Sequence, residues 1–118
     1  NAFFGSISGP GGIDAAGGAW DVTDFGLQVD FGGGSGTLSA FELTDSSTLI
    51  DMTAGSTSGT IDFAGSSLTI TGLSDSGGTH SGEIEGVFLG GDADAMLLRF
   101  EINGDNEITG VVIAEPAT

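Results

Sequence analysis

Apolar residues recur at every second position along most of this chain, the pattern of strands that bury one face and expose the other. Trp20 and Val22 alternate with Asp21 and Thr23, and Phe25, Leu27, Val29 and Phe31 alternate with Gly26, Gln28 and Asp30. The parity flips between Val22 and Phe25, which predicts a β-bulge near Thr23–Asp24. Gly32-Gly33-Gly34-Ser35-Gly36 predicts a hairpin turn, followed by a strand from Thr37 to Leu43. Shorter strands are expected over Thr48–Thr53, Ser58–Ala64 and Ser67–Leu73, parted by clusters of Ser, Thr, Asp and Gly. Three more follow at Ser81–Gly90, Ala95–Asn103 and Glu107–Ala114. Within them Phe88, Met96, Leu98 and Phe100 are expected in the core. A helical turn over Asp92–Leu98 would also place Met96 and Phe100 on one face, but the alternation continues through Ile102 and favours strand.

The predicted fold is therefore all-β: an antiparallel up-and-down β-barrel of about eight strands, with a two-sheet β-sandwich as the alternative. Ala2–Ile7 forms an extra N-terminal strand, set apart by the glycine-rich stretch Ser8–Gly18. The chain thus divides into residues 1–18, strand and linker, and residues 19–118, the barrel. A ninth strand is one more than an even closed meander needs. Phe3, Phe4 and Ile7 are accordingly expected to form an interaction strand, which closes either its own barrel or that of a neighbouring copy.

Composition narrows the function classes. The chain of 118 residues carries 17 acidic residues against a single Arg or Lys, for a net charge of −16. One arginine cannot neutralise a phosphate backbone or hold an anionic bilayer surface, so nucleic acid is excluded as a partner. No stretch approaches the roughly 20 apolar residues of a membrane-spanning helix, and membrane insertion is not expected. Cysteine is absent, which rules out disulfides and zinc–thiolate sites. Mean hydropathy is nevertheless positive, so the chain has the apolar surface to fold rather than remain disordered. Such acidity suits a saline or extracellular setting, where screening relieves self-repulsion. The first residue is Asn1 rather than Met, as expected of a processed chain or a piece of a longer one.

In the C-terminal third, Gly86-Val87-Phe88-Leu89-Gly90-Gly91-Asp92-Ala93, then Phe100, then Gly110-Val111-Val112-Ile113-Ala114 make a recognisable series. It resembles the barrel signature of transferrin-binding-protein-B-like domains, which also occur as the C-terminal barrel of some FecR-domain proteins and in other bacterial envelope proteins. Gly86, Phe88, Gly90, Ala93 and Gly110 carry the motif, while Gly91 stands where proline is usual and Ala95 where glutamate is usual. Val29-Asp30-Phe31-Gly32 and Gly36-Thr37-Leu38 are similar to the family's early hairpin. The resemblance implies a barrel at the bacterial surface that binds proteins and does no catalysis.

Candidate chemistry is sparse. His80 is the one histidine; it follows Gly77-Gly78-Thr79 at a turn and is expected to face solvent, with no nucleophile elbow beside it. Arg99 alternates with Leu98 and Phe100, so it points outward, to pair with Glu83, Glu85 or Glu107 or to anchor an acidic partner. Glu83 and Glu85 lie on one exposed strand face without an aromatic sugar platform, so glycosidic work is not expected. Asp92 and Asp94, together with Asn103, Asp105 and Glu107, form oxygen-rich loops of the composition calcium takes, although Asn103-Gly104 is also a strong hairpin-turn signal. No other cofactor is implied.

The leading expectation is a non-enzymatic cell-surface or extracellular barrel that acts through protein–protein interaction. One alternative is a structural subunit polymerised into a pilus-like filament by N-terminal donor-strand insertion, which head-to-tail pairing leaves open-ended. A second is a calcium-stabilised adhesin module with the same fold.

Overall fold

The computed structural model describes residues 2–116 and contains strands and turns, with no helix among the described residues. Nine strands follow one another: β1 (Ala2–Asp14), β2 (Ala19–Asp30), β3 (Ser35–Thr44), β4 (Leu49–Asp51), β5 (Ser58–Asp62), β6 (Ser67–Ser74), β7 (His80–Leu89), β8 (Ala95–Gly104) and β9 (Ile108–Pro116). All pairings are antiparallel, and the order β2-β1-β9-β8-β7-β6-β5-β3 closes through a β2–β3 pairing. Eight strands therefore form a closed barrel, and β4 bonds to β3 outside that ring. Closure leaves no long edge and excludes the sandwich.

Periodicity explains why these segments become staves. Buried and exposed positions alternate along β3, β6, β7 and β8, with Leu38, Ile70, Ile84, Met96, Leu98 and Phe100 turned inward. The parity flip in β2 is a register shift between Val22 and Asp24, so a bulge lies where the alternation breaks. It allows Trp20 and Phe25, an odd number of residues apart, both to be buried. The centre of the core is aromatic: Phe41 meets Phe25 at 6.1 Å and Phe100 at 5.3 Å, both edge-on. Each of these side chains contributes on the order of 2–3 kcal/mol by leaving water.

Two expectations change. The N-terminal strand is not an addition to a complete eight-strand barrel; β1 is itself a stave, between β2 and β9. Moreover, the residues read as a linker from Ser8 onward continue as strand to Asp14. Glycine is needed there because the neighbouring strands approach closely: a Cβ on Gly11 would overlap the Trp20 carbonyl oxygen, and one on Gly12 the Ile108 side chain. The extra strand is instead β4, and residues 52–57 carry the chain from it to β5 across both neighbours. Met52 N donates to Phe41 O on one side, and Ala54 N and Ser56 N donate to Ser74 O and Gly72 O on the other. That segment closes the wall between β3 and β6 without regular pairing.

Meander connectivity gives the barrel, 39 Å in its longest dimension, two chemically different ends. One carries the turns 31–34, 63–66 and 90–94 with the start of β1 and the finish of β9. The other carries the turns 15–18, 45–48, 75–79 and 105–107.

Candidate binding surface

Three turns build the first end. Asp30 and Asp62 head related sequences, Asp30-Phe31-Gly32-Gly33 and Asp62-Phe63-Ala64-Gly65. In each the carboxylate folds over its own turn: Asp30 Oδ1 accepts from Gly33 N at 3.0 Å, and Asp62 Oδ1 from Ala64 N at 3.1 Å. Each turn thereby places a phenylalanine at the rim. The third turn, between β7 and β8, holds Gly90 at φ +83° and Ala93 at φ +53°. A left-handed alanine is a strained conformation that surrounding contacts must support.

Between these turns lies a pocket of about 170 Å³ lined by Phe31, Ile61, Phe63, Phe88 and Ala93, with Ser66, Gly90 and Gly91. The Phe88 ring lies 5.3 Å from that of Phe31 and 6.2 Å from the wholly buried Phe4, which underlies this end of the core. Phe63 is 62% exposed.

An apolar band runs outward from the same end. Val87, Leu97 and Ile113 stand directly opposite one another on β7, β8 and β9, and Leu89 opposes Ala95 nearer the rim. All four large side chains point to solvent. Among the described residues eight large hydrophobics are exposed, and six of them (Phe3, Phe63, Val87, Leu89, Leu97, Ile113) lie in this half of the barrel. Isolated exposed hydrophobics need no explanation, whereas Val87, Leu89, Leu97 and Ile113 are contiguous across neighbouring strands.

The residues singled out from sequence fall as follows. Phe88, Gly90 and Ala93 of the family-like motif line the mouth, so Phe88 is a half-buried rim residue rather than deep core. Gly86 is buried where a Cβ would press on Met96 and Leu98, and Gly110 lies under β1. Of the interaction strand, Phe4 is core, Ile7 is half-buried and Phe3 is partly exposed against Gly26. The calcium candidates separate: Asp92 and Asp94 sit on the β7–β8 turn, while Asn103, Asp105 and Glu107 lie at the far end of β8. A ten-residue strand keeps the two groups roughly 30 Å apart, so they cannot share one ion. Among the described residues no three His, Cys, Asp or Glu side chains converge as metal ligands. Arg99 faces outward opposite Glu85, yet no carboxylate of the described residues lies within 4.0 Å of it. An exposed pair gains too little in water to fix two long side chains.

His80 departs most from expectation. It is 7% exposed and forms a clasp at the second end. Its Nδ1 lies 2.8 Å from Asp75 Oδ2 and its Nε2 3.0 Å from Asn106 Oδ1, which ties the β6–β7 turn to the β8–β9 turn. Asp75 also accepts from the Thr79 hydroxyl at 2.6 Å and from the Thr79 amide at 2.8 Å. These bonds, the Thr79 hydroxyl foremost and then the imidazole, hold the Asp75 carboxyl far below the usual carboxylate range. Burial alone would lower the His80 pKa, but bonds to Asp75 and Asn106 and the charges of Asp75 and Asp105 raise it above 6.5. At the same end Trp20 Nε1 donates to Asp14 Oδ2 at 3.0 Å, and Gly18 N to Asp14 Oδ1 at 2.7 Å, which lowers the Asp14 pKa.

Sequence reasoning missed Phe31, Ile61 and Phe63 as a group. The repeated Asp-Phe-(Gly/Ala)-Gly turn was the available signal, because it sets an aromatic residue where the alternating pattern runs out at a barrel rim. No protein-family model and no curated protein matches the chain.

Proposed function

We propose that this chain is a non-enzymatic recognition barrel of the bacterial surface or extracellular space that grips a protein partner with its apolar end. The observation that carries this reading is the gathering of the aromatic mouth and the Val87–Leu97–Ile113 band in one half of a strongly acidic barrel. Elsewhere the outward positions of the staves are mostly Ser, Thr, Asp and Glu, so exposed apolar side chains here serve contact rather than solubility. Resemblance to transferrin-binding-protein-B-like barrels supports the same role and location, since Phe88, Gly90 and Ala93 lie at this mouth. A non-catalytic reading is favoured because both nitrogens of His80 are engaged by neighbouring side chains. Photo-crosslinkers placed singly at Leu97 and at Thr71 would test it on cells displaying the protein. Protein adducts from position 97 and none from position 71 are expected; equal labelling would refute a directed surface.

A second reading has its own support. β1 pairs with β2 through Ala2–Phe4 and again through Gly12–Ile13, with a register shift between, so it is an irregularly zipped stave. Such a strand is suited to leave its barrel and complete that of a neighbour, which gives a filament. Electron microscopy of the intact chain beside a form lacking residues 1–10 decides it. Filaments seen in the first and lost in the second would establish polymerisation, and dispersed particles in both would exclude it.

A further inference from the structure

The mouth has a chemistry more specific than apolar. Three phenyl rings, Phe31, Phe63 and Phe88, line a space of about 170 Å³. A cavity of roughly 150 Å³ already takes a benzene-sized guest. Carboxylates adjoin all three turns that carry the lining: Asp30 and Asp62 end the strands that lead into two of them, and Asp92 and Asp94 lie on the third. Neither the arginine nor the histidine among the described residues lies there. Arg99 lies three residues beyond Met96, which is paired with Phe88, and His80 is at the opposite end of β7. Aromatic rings attract a cation through the negative potential of their faces, and most strongly when its hydration is weak. A ring-lined pocket rimmed by acids thus fits a guest with an apolar stem and a positive head.

Resting on the recognition reading, we infer that the mouth receives the alkylammonium side chain of a lysine on the partner, N-methylated forms ranking above the free amine. The methylene stem lies along Ile61 and the Ala93 methyl, and the cationic head lies among the rings under the field of the rim carboxylates. Complementarity supports this choice over an acidic or neutral guest: a chain of net charge −16 draws basic segments and repels acidic ones. Asp30 and Asp62 accept bonds from their own turns, whereas Asp92 is exposed between the two lining residues Gly91 and Ala93.

Choline and its neutral isostere 3,3-dimethylbutanol, which differ in charge at constant shape, are the probes. They are titrated into the folded protein while the amide signals of Gly90 and Gly91 and the Phe ring signals are followed by nuclear magnetic resonance. Choline is expected to shift these signals saturably and to bind roughly fivefold tighter than the alcohol. Phe63→Leu, at a largely exposed position, should remove most of that preference. Asp92→Asn should weaken choline and leave the alcohol unchanged. Equal affinity of the two probes would overturn the inference in favour of a plain apolar pocket. Shifts scattered over carboxylates of the whole barrel, or no saturable shift, would overturn it as well. Because crosslinking at Leu97 reads the docking surface independently, adducts there without choline binding would sink the lysine assignment alone. Choline binding without adducts would sink the partner reading.

Discussion

Replacing His80 with alanine tests the clasp at the polar end of the barrel. The substitution removes the bonds to the Asp75 carboxylate at 2.8 Å and to Asn106 at 3.0 Å, with a further contact of Nδ1 to the Thr79 hydroxyl at 3.0 Å. A hydrogen bond to a charged group is worth about 1.5–3 kcal/mol and a neutral one about 1 kcal/mol, so the loss comes to roughly 3 kcal/mol. For a domain of this size that corresponds to a fall in Tm of about 12 °C. The pH dependence carries the sharper claim. A pKa raised above 6.5 in the folded state means that the His80 contribution is complete below pH 6.5 and is lost as pH rises through the folded value. For Asp75 the folded pKa is lowered from 3.8, so its contribution is complete above pH 3.8 and is lost only as pH falls through the lowered value. The clasp is therefore strongest between pH 3.8 and 6.5. Thermal melts by circular dichroism, run on the natural protein and the His80→Ala variant from about pH 4 to about pH 9, isolate its share because the general acidity acts equally on both. The gap between the two melts should be widest near about pH 5 and shrink on the alkaline side. A gap that is flat across this range, or one that widens above neutrality, would refute the charged clasp.

Other parts of the barrel give simpler expectations. Gly110→Ala sets a Cβ against the backbone of β1 and the Phe100 ring, and should destabilise by about 2 kcal/mol or more on overpacking alone, read as the urea midpoint. Trp20→Phe keeps the buried ring but loses the bond to Asp14, at about 1 kcal/mol by the same measurement; an unchanged midpoint would show that the indole contributes by packing only. Phe100→Ala empties a position 2% exposed at the centre of the core and should remove about 4 kcal/mol.

Alternation alone is enough to read most of the wall. The staves from Phe25 to Ile108 follow from period two, and the bulge near Thr23 from a single break in it. The N-terminal stave is harder, because Gly9-Pro10-Gly11-Gly12 has the composition of a linker and shows no period. Gly11 and Gly12 are small because Trp20, Ile108 and Phe100 crowd them, a tertiary requirement that composition does not distinguish from flexibility. His80 misleads for a related reason. Its neighbours in sequence describe a polar turn, while its burial depends on Asn106, 26 residues away. The mouth shares this non-local character, since Phe31, Phe63 and Phe88 come from three separate segments that strand pairing and the curvature of the barrel bring together.

Charge and apolar surface pull this barrel in opposite directions, and salt separates the two. At about 0.01 M ionic strength the screening length is roughly 30 Å, longer than the 24 Å cross-section of the barrel. Two copies then feel one another's whole charge, and the Val87–Leu97–Ile113 band stays apart from its like despite its area. At about 1 M salt the length falls to roughly 3 Å, repulsion vanishes, and the apolar ends are free to meet. Attraction to a basic partner runs the other way, strongest where screening is weakest. On the proposed reading the acidity is a selector: a net charge of −16 opposes self-association and favours positively charged over acidic guests. The same logic bears on how the acids are placed. The rim of the mouth keeps Asp30, Asp62, Asp92 and Asp94 on its turns, whereas the band on β7–β9 has no acid in its own row. Under the proposed function, contact area would lie in the band and discrimination by charge sign at the mouth, which salt titration of partner binding would separate.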